Sequence, residues 1–403
     1  MKIFIFECRK QFFKKSIIVA ILLFSVLNIV KIHSIYDTSS LLSKSTDPTW
    51  KYLYWEMYED FRGTITNEKI EKLMSIYQPL NEQTADMTAS TAMDNPNTYT
   101  GNLYNDTYFF QWNFVNPMEY AYMYRNYANN VVTTAKKNKD FFESIENEYE
   151  YRKNAAIVEM YKGRIIPSFS YVEMYKNLIH YDFSTILVIL ICIYALVNVF
   201  IFEKETEMDL LLLTTKAGGS KTVLAKIMAS VIFVCFVSSW FWLIDFAAFA
   251  IIFESLEGTF SPIYSIENFV NSSIDVNLGE FVILSNLLKT VGILVLALVV
   301  LFVTTLFKNT LAPFIISLIL TFGSIYIQEM NMGSSRILLK VLNPYTLIVN
   351  RELFRNTEFV NLFGYPVISY ILALIFSFTW VGFCLFGILL IIKKNIVYSK
   401  GMK

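Results

Sequence analysis

Residues 183–202 carry no charge, and the run stops abruptly at Glu203. About 20 apolar residues cross the ~30 Å hydrocarbon core of a bilayer as a helix, since each residue adds about 1.5 Å. Inside lipid the backbone must satisfy its own hydrogen bonds, so such a run has few alternatives to a helix. A charged segment, 203–226, follows with a small apolar helix inside it, and a second apolar run begins at Ile227. The pattern predicts two spans joined by a short, structured loop on one face of a membrane.

The same criterion places spans at 16–35, 183–202, 227–253, 281–307, 311–327 and 367–392, the fifth slightly short. The expected fold is therefore an all-α polytopic membrane protein with six transmembrane helices. A large, mainly helical extracytoplasmic domain, 36–180, lies between the first two. Only 17% of the residues are charged, against about 25% in soluble domains.

Residues 1–15 put Ile5, Cys8 and Phe12 on one helical face and crowd Lys10, Lys14 and Lys15 near the membrane entrance. This predicts an interfacial amphipathic helix. A signal-peptide head is the other reading, but Ser34–Tyr36 offers no small-residue cleavage site. Lys31, in the outer half of the first span, can snorkel to the interface.

In the polar region, Thr66 is a candidate cap for a helix over 67–77, 84–107 reads as loop, and helices follow over 117–137 and 140–162, with Gly163 as a stop. Seventeen of the 25 tyrosines lie between Tyr52 and Tyr181, which suits either a small aromatic core or a sticky substrate surface.

Short-loop charge sets the orientation. The outer loop 254–280 holds five acids and no Lys or Arg, whereas the amino-terminal segment, 203–226, Lys308 and the tail 393–403 are rich in Lys. Both termini are thus expected in the cytoplasm. Segment 328–366 disagrees, since it carries Arg336, Lys340, Arg351 and Arg355. Either these sit at the outer interface or the segment is re-entrant.

The four cysteines give no disulfide framework, and the two histidines, His33 and His180, are too far apart to suggest a metal site. Zero net charge argues against nucleic acid as a partner. Residues 217–222, AGGSKT, miss the phosphate-loop pattern, because Ser220 stands where Gly must precede the Lys. No GxSxG, HExxH or CxxC occurs, so no catalytic residue, metal ligand or cofactor is assigned. Asp245, inside the third span, is either a proton- or substrate-handling group or a structurally paired acid, with Lys289 as a partner within reach. Asn198 reads as an interhelical hydrogen-bonding residue.

Glu203, Glu205 and Glu207 cluster at the inner surface, as a solvated face or as part of a docking element. Next to them Leu210–Leu213 need a surface to cover them. Gly218 and Gly219 end the short helix.

The run from Tyr181 to Ala229 resembles the second span, coupling segment and third span of the ABC type-2 exporter permeases of low-GC Gram-positive bacteria. An acid closes the second span (Glu203 or Glu205), a leucine-rich helix runs into Thr-Lys-Ala-Gly (Leu211, Leu212, Lys216, Gly218), and Lys226 opens the third span. Asn343–Pro344–Tyr345 is similar to the family's outer Pro-containing segment. Ser220 departs from the pattern, where a basic residue often follows the Gly. The resemblance implies a permease subunit in a bacterial cell membrane, pairing with a second permease subunit, homo- or heterodimeric. A separate ATP-binding subunit would dock at Glu203, Glu205, Glu207, Leu211, Leu212, Lys216, Gly218 and Gly219. Its closure, transmitted through 207–221, would drive a substrate outward, an amphipathic peptide or lipid being favoured. The alternative is a mechanotransmitting or sensory protein that relays ATPase motion to the outer domain.

Overall fold

The computed structural model describes residues 2–39, 49–85, 98–206, 208, 220–330, 337–343 and 345–401. The chain is helical almost throughout. An amino-terminal helix α1 (Lys2–Gln11) turns through an elbow into α2 (Lys15–Ser39). The next segment builds a head from α3 (Thr49–Phe61), α4 (Asn67–Thr84), α5 (Leu103–Phe110), α6 (Asn116–Ser144), α7 (Glu148–Tyr161) and α8 (Glu173–His180). Two short strands, β1 (Gly63–Thr64) and β2 (Ser168–Phe169), pair antiparallel within it. The chain then runs through α9 (Phe183–Leu196), α10 (Asn198–Glu205) and α11 (Ser220–Ile252). After α12 (Leu278–Leu306) and α13 (Leu311–Met330) come two short helices, α14 (Ile337–Leu342) and α15 (Arg351–Arg355). The hairpin β3 (Phe359–Leu362) and β4 (Tyr365–Ile368) leads into α16 (Ser369–Gly401).

Among the described residues, five stretches are long and apolar enough to cross a membrane: Lys15–Thr38, Glu173–Glu205, Lys221–Ile252, Leu278–Leu306 and Ser369–Lys394. The apolar part of α13, Leu311–Ile327, is shorter. Buried residues make up 72% of the most apolar window of Glu173–Glu205 and 61% of that of Leu278–Leu306, against 22% for Lys15–Thr38 and 17% for Ser369–Lys394. So α9 and α12 form the centre, while α2 and α16 present apolar faces outward. Close approach needs glycine at several places, two of them between helices of the bundle and their neighbours. A Cβ on Gly292 of α12 would lie 2.9 Å from the Ile348 backbone nitrogen, and one on Gly387 of α16 would lie 2.6 Å from the Phe302 ring.

The head is held by aromatic packing. Tyr54, Tyr58, Phe61, Phe109, Phe110, Phe114, Phe169 and Tyr171 form one buried cluster, with rings in tilted, edge-on and stacked contact. The tyrosines of this cluster are core residues. Burial pushes the Tyr58 phenol well above its usual range, and its hydroxyl donates to Glu257 while accepting from the Tyr171 amide.

Local boundaries differ from the sequence expectation where caps decide them. Thr66 does accept from the Lys69 amide, but the helix it starts runs on through Pro79 to Thr84. Asn102 caps α5, so helix begins inside the stretch read as loop. The break between the next helices falls at 145–147, where Glu146 takes a positive φ of 54° and Asn147 caps α7. Gly163, just past α7, has φ 74°.

Segments 254–280 and 337–368 join the same head. The first folds into three 3-10 turns, Glu257–Phe260, Ile263–Ser265 and Glu267–Phe269. Its acids find the head's bases: Glu254 pairs with Lys51 at 2.7 Å and Glu257 with Arg62 at 3.3 Å. Arg164, 3% exposed, donates to the Ser272 carbonyl at 2.7 Å and stacks on Tyr161 and Tyr264. The basic residues that disturbed the charge pattern are neutralised here as well. Lys340 meets Glu358 at 3.3 Å, Arg351 pairs with Asp182, and Arg355 meets Glu352 at 3.6 Å. Arg336 lies outside the described residues.

Candidate functional site

Two polar layers cross the apolar bundle, one near each end. The first is built on three consecutive residues at the end of α10. Successive residues of a helix point about 100° apart, so three in a row face three different neighbours. Glu203 accepts from Lys10 of α1 at 2.7 Å through Oε1 and from Lys226 of α11 at 2.5 Å through Oε2. Lys204 donates to the carbonyls of Thr304, Thr305 and Phe307 at 3.1, 2.7 and 2.9 Å. Glu205 accepts from the hydroxyl of Thr310 at 2.7 Å, directly before α13.

Each contact answers a physical demand. Lys226 is only 2% exposed. A buried ammonium is stable only when paired and hydrogen-bonded, and this one has Glu203, the Val199 carbonyl at 3.0 Å and the face of Phe200 at 5.2 Å. The last carbonyls of a helix have no partner within it, so Lys204 supplies the charge and the donors that α12 lacks at its end. A displacement of α10 therefore acts on α1, α11, α12 and α13 together.

The solvated-face reading fails for Glu203, which is 8% exposed with both oxygens occupied. Glu205 is exposed and bonded to Thr310. Glu207, Leu211, Leu212, Lys216, Gly218 and Gly219 lie outside the described residues. Met208 is described and exposed. Asn198 starts α10, half-buried and without a side-chain hydrogen bond among the described residues.

The second layer surrounds Asp245, which is 7% exposed. Its Oδ1 accepts from Asn28 Nδ2 of α2 at 2.6 Å and its Oδ2 from Ser184 Oγ of α9 at 2.5 Å. Tyr181 donates to Asn28 Oδ1 at 2.6 Å, which fixes the orientation of the amide. Three elements are tied through one carboxylate. Lys289 makes its hydrogen bonds elsewhere, to Asp182 Oδ1 at 3.3 Å and the Tyr181 carbonyl at 3.4 Å. Asp182 then joins Lys289 to Arg351.

No family model, curated protein or solved structure matches this chain.

Glu203, Glu205, Asp245 and Lys226 stand out in the sequence, but their pairing does not: Glu203 with Lys226 and Lys10, Glu205 with Thr310, Asp245 with Asn28 and Ser184. Lys10 was one of several interfacial bases, and Lys204 one of several loop charges. A signal did exist for Asn28, the one amide in an otherwise apolar stretch of α2, since a polar residue in a span needs a partner on another helix.

Proposed function

We propose that the chain is the transmembrane permease subunit of an ATP-binding-cassette exporter. The observation that carries the reading is the tie at the end of α10. Segment 206–219 connects α10 to α11 in the sequence, and Glu203–Lys226 clamps those helices to each other next to the two ends of that connection. A soluble partner pressing on 206–219 acts on a rigid fork rather than on a slack loop. Lys204 and Glu205 pass the same displacement to α12 and to the start of α13. The sequence resemblance at 181–229 supports the same assignment of parts.

On this reading the chain crosses a bacterial plasma membrane six times, with α13 as the short fifth crossing. The termini and 203–226 face the cytoplasm, and the head faces outward. ATP hydrolysis belongs to a separate subunit, and two permease subunits pair around the substrate path. A cleft of ≈ 160 Å³ in the head, floored by Ile166, Phe169 and Ile266 and rimmed by Lys176 and Glu267, suits an amphipathic substrate. The sensory alternative shares the same coupling but stops at the head. The union of 254–280 and 337–368 with the head favours it as the second reading, because motion of α12 would reach the head through 254–280, which Arg164 and Tyr120 of the head hold at Ser272 and Tyr264.

The test is purification of the tagged chain from its native membrane. A stoichiometric ATP-binding subunit, most simply one encoded beside this gene, is the expected companion. Repeated recovery of the folded chain with no ATPase would end the proposal.

A further inference from the structure

An apolar groove of ≈ 360 Å³ opens sideways at the elbow between α1 and α2. Phe12 stacks on Phe233 at 4.2 Å to form its inner wall, and the small side chain of Ala229 leaves the space between them and Ile21. Phe236 and Trp240 continue the wall along α11. At the far end the Trp240 indole is fixed by donating to Ser25 at 3.1 Å. From Ala229 to Trp240 the groove follows α11 for about 16 Å at the helical rise. That is close to the ~15 Å of one leaflet's hydrocarbon in a ~30 Å core.

The end at the elbow is basic. Arg9 and Lys15 are exposed, and Lys14 rests 5.8 Å from the Phe202 ring. Among the described residues none of the three has an acidic partner, whereas Lys10 beside them is held by Glu203. A one-leaflet apolar slot with unneutralised cations at its headgroup end matches one kind of molecule. We propose that the groove holds an acyl chain of an anionic phospholipid whose phosphate lies against Arg9, Lys14 and Lys15. The inference rests on the membrane placement of the bundle and not on the transport reading. Such a lipid fills the gap between α2 and α11 beside the Lys10–Glu203–Lys226 tie, so it becomes part of that junction.

The experiment is native mass spectrometry of the delipidated, detergent-solubilised chain titrated with dioleoyl-phosphatidylglycerol or dioleoyl-phosphatidylcholine. The wild type is expected to retain one phosphatidylglycerol in clear preference to phosphatidylcholine. Neutralisation by Arg9→Gln, Lys14→Gln and Lys15→Gln is expected to weaken retention by roughly fivefold per cation and to remove the preference. Ile232→Trp, at the half-exposed mouth, is expected to reduce retention of both lipids. Equal retention of the two lipids by the wild type would overturn the proposal, as would retention unchanged in Ile232→Trp. A wild-type dimer that Ile232→Trp converts to monomer, with lipid retention unaltered, would assign the groove to a second copy instead. Should Ile232→Trp fail to fold, the headgroup preference and its loss in the neutralised variant decide the matter.

Discussion

Lys226 Nζ lies 2.5 Å from Glu203 Oε2, joining the two helices that flank segment 206–219. Both side chains are almost wholly buried, and Lys10 completes the cluster from a third helix. A pair buried this deeply adds little net stability when intact but is expensive to break, because the survivor keeps its charge without its partner.

That asymmetry gives a stability prediction. Glu203→Gln strands Lys226 and is expected to destabilise the chain by about 3–5 kcal/mol. The double variant Glu203→Leu with Lys226→Met should recover most of that loss. Thermal melting of the detergent-solubilised wild type, Glu203→Leu, Lys226→Met and the double variant closes a double-mutant cycle, and additive losses would refute the pairing.

The neighbouring Lys204 acts differently. Lys204→Met leaves the last carbonyls of α12 without donors, and the loss of a partly buried charged cap is about 2 kcal/mol. On the exporter reading, ATPase binding persists in this variant while ATP-dependent transport falls. Binding and transport assays on the same membranes separate these effects.

Asp245 is predicted to act as a knot rather than a proton carrier. Asp245→Ala leaves the Asn28 amide and the Ser184 hydroxyl unpaired, at about 1–3 kcal/mol for each orphaned group. Asp245→Asn keeps the shape and part of the bonding, so it should retain substantial stability and transport. Full stability with transport abolished in Asp245→Asn would instead mark the carboxylate as a working proton or substrate group.

Arg164 is a buried member of the set of ties that join the head to 254–280. Arg164→Ala removes the donor to the Ser272 carbonyl and the guanidinium face on Tyr161 and Tyr264. A loss of about 2–4 kcal/mol is expected from the broken charged hydrogen bond and packing. Hydrogen exchange should show it as faster opening of 254–280, with the spans unaffected.

Packing at Gly292 is equally specific. Gly292→Ala drives a methyl into the Ile348 backbone nitrogen at 2.9 Å, and that segment must shift. Overpacking of this kind destabilises by about 1–3 kcal/mol. The same change at Gly364, where a Cβ meets nothing within 4 Å, is strained only by its φ of 86°. Melting temperatures of the two variants compare the effects.

The apolar helices were legible because continuous hydrophobicity over ~20 residues has one cheap outcome. The Thr66 cap was legible for similarly local reasons, whereas the tyrosine-rich composition left core and surface open, and only the packing assigns those rings to a core. The β3–β4 hairpin was not legible. Its turn uses Phe363 and Gly364 at positive φ of 52° and 86°, and Phe is a residue that sequence patterns do not associate with such a turn. Nor were the partners of Asp245 and Glu203 legible, since they lie 217 and 193 residues away in Asn28 and Lys10. A lone intramembrane acid announces that it needs a partner but not which one. The basic residues of 328–366 confused the orientation pattern for the same reason: two of their neutralising acids, Asp182 and Glu358, become neighbours of Arg351 and Lys340 only in the fold.

On the exporter reading, the push of an ATP-binding subunit on 206–219 is distributed by the Glu203–Lys204–Glu205 tie. The most direct measurement is recovery of that subunit with the double variant Leu211→Ser and Leu212→Ser, set against the wild type in the same membranes. Normal insertion of the variant and loss of the bound ATPase are expected on the exporter reading. Unchanged recovery of the ATPase with the double variant would contradict it and move the docking surface elsewhere.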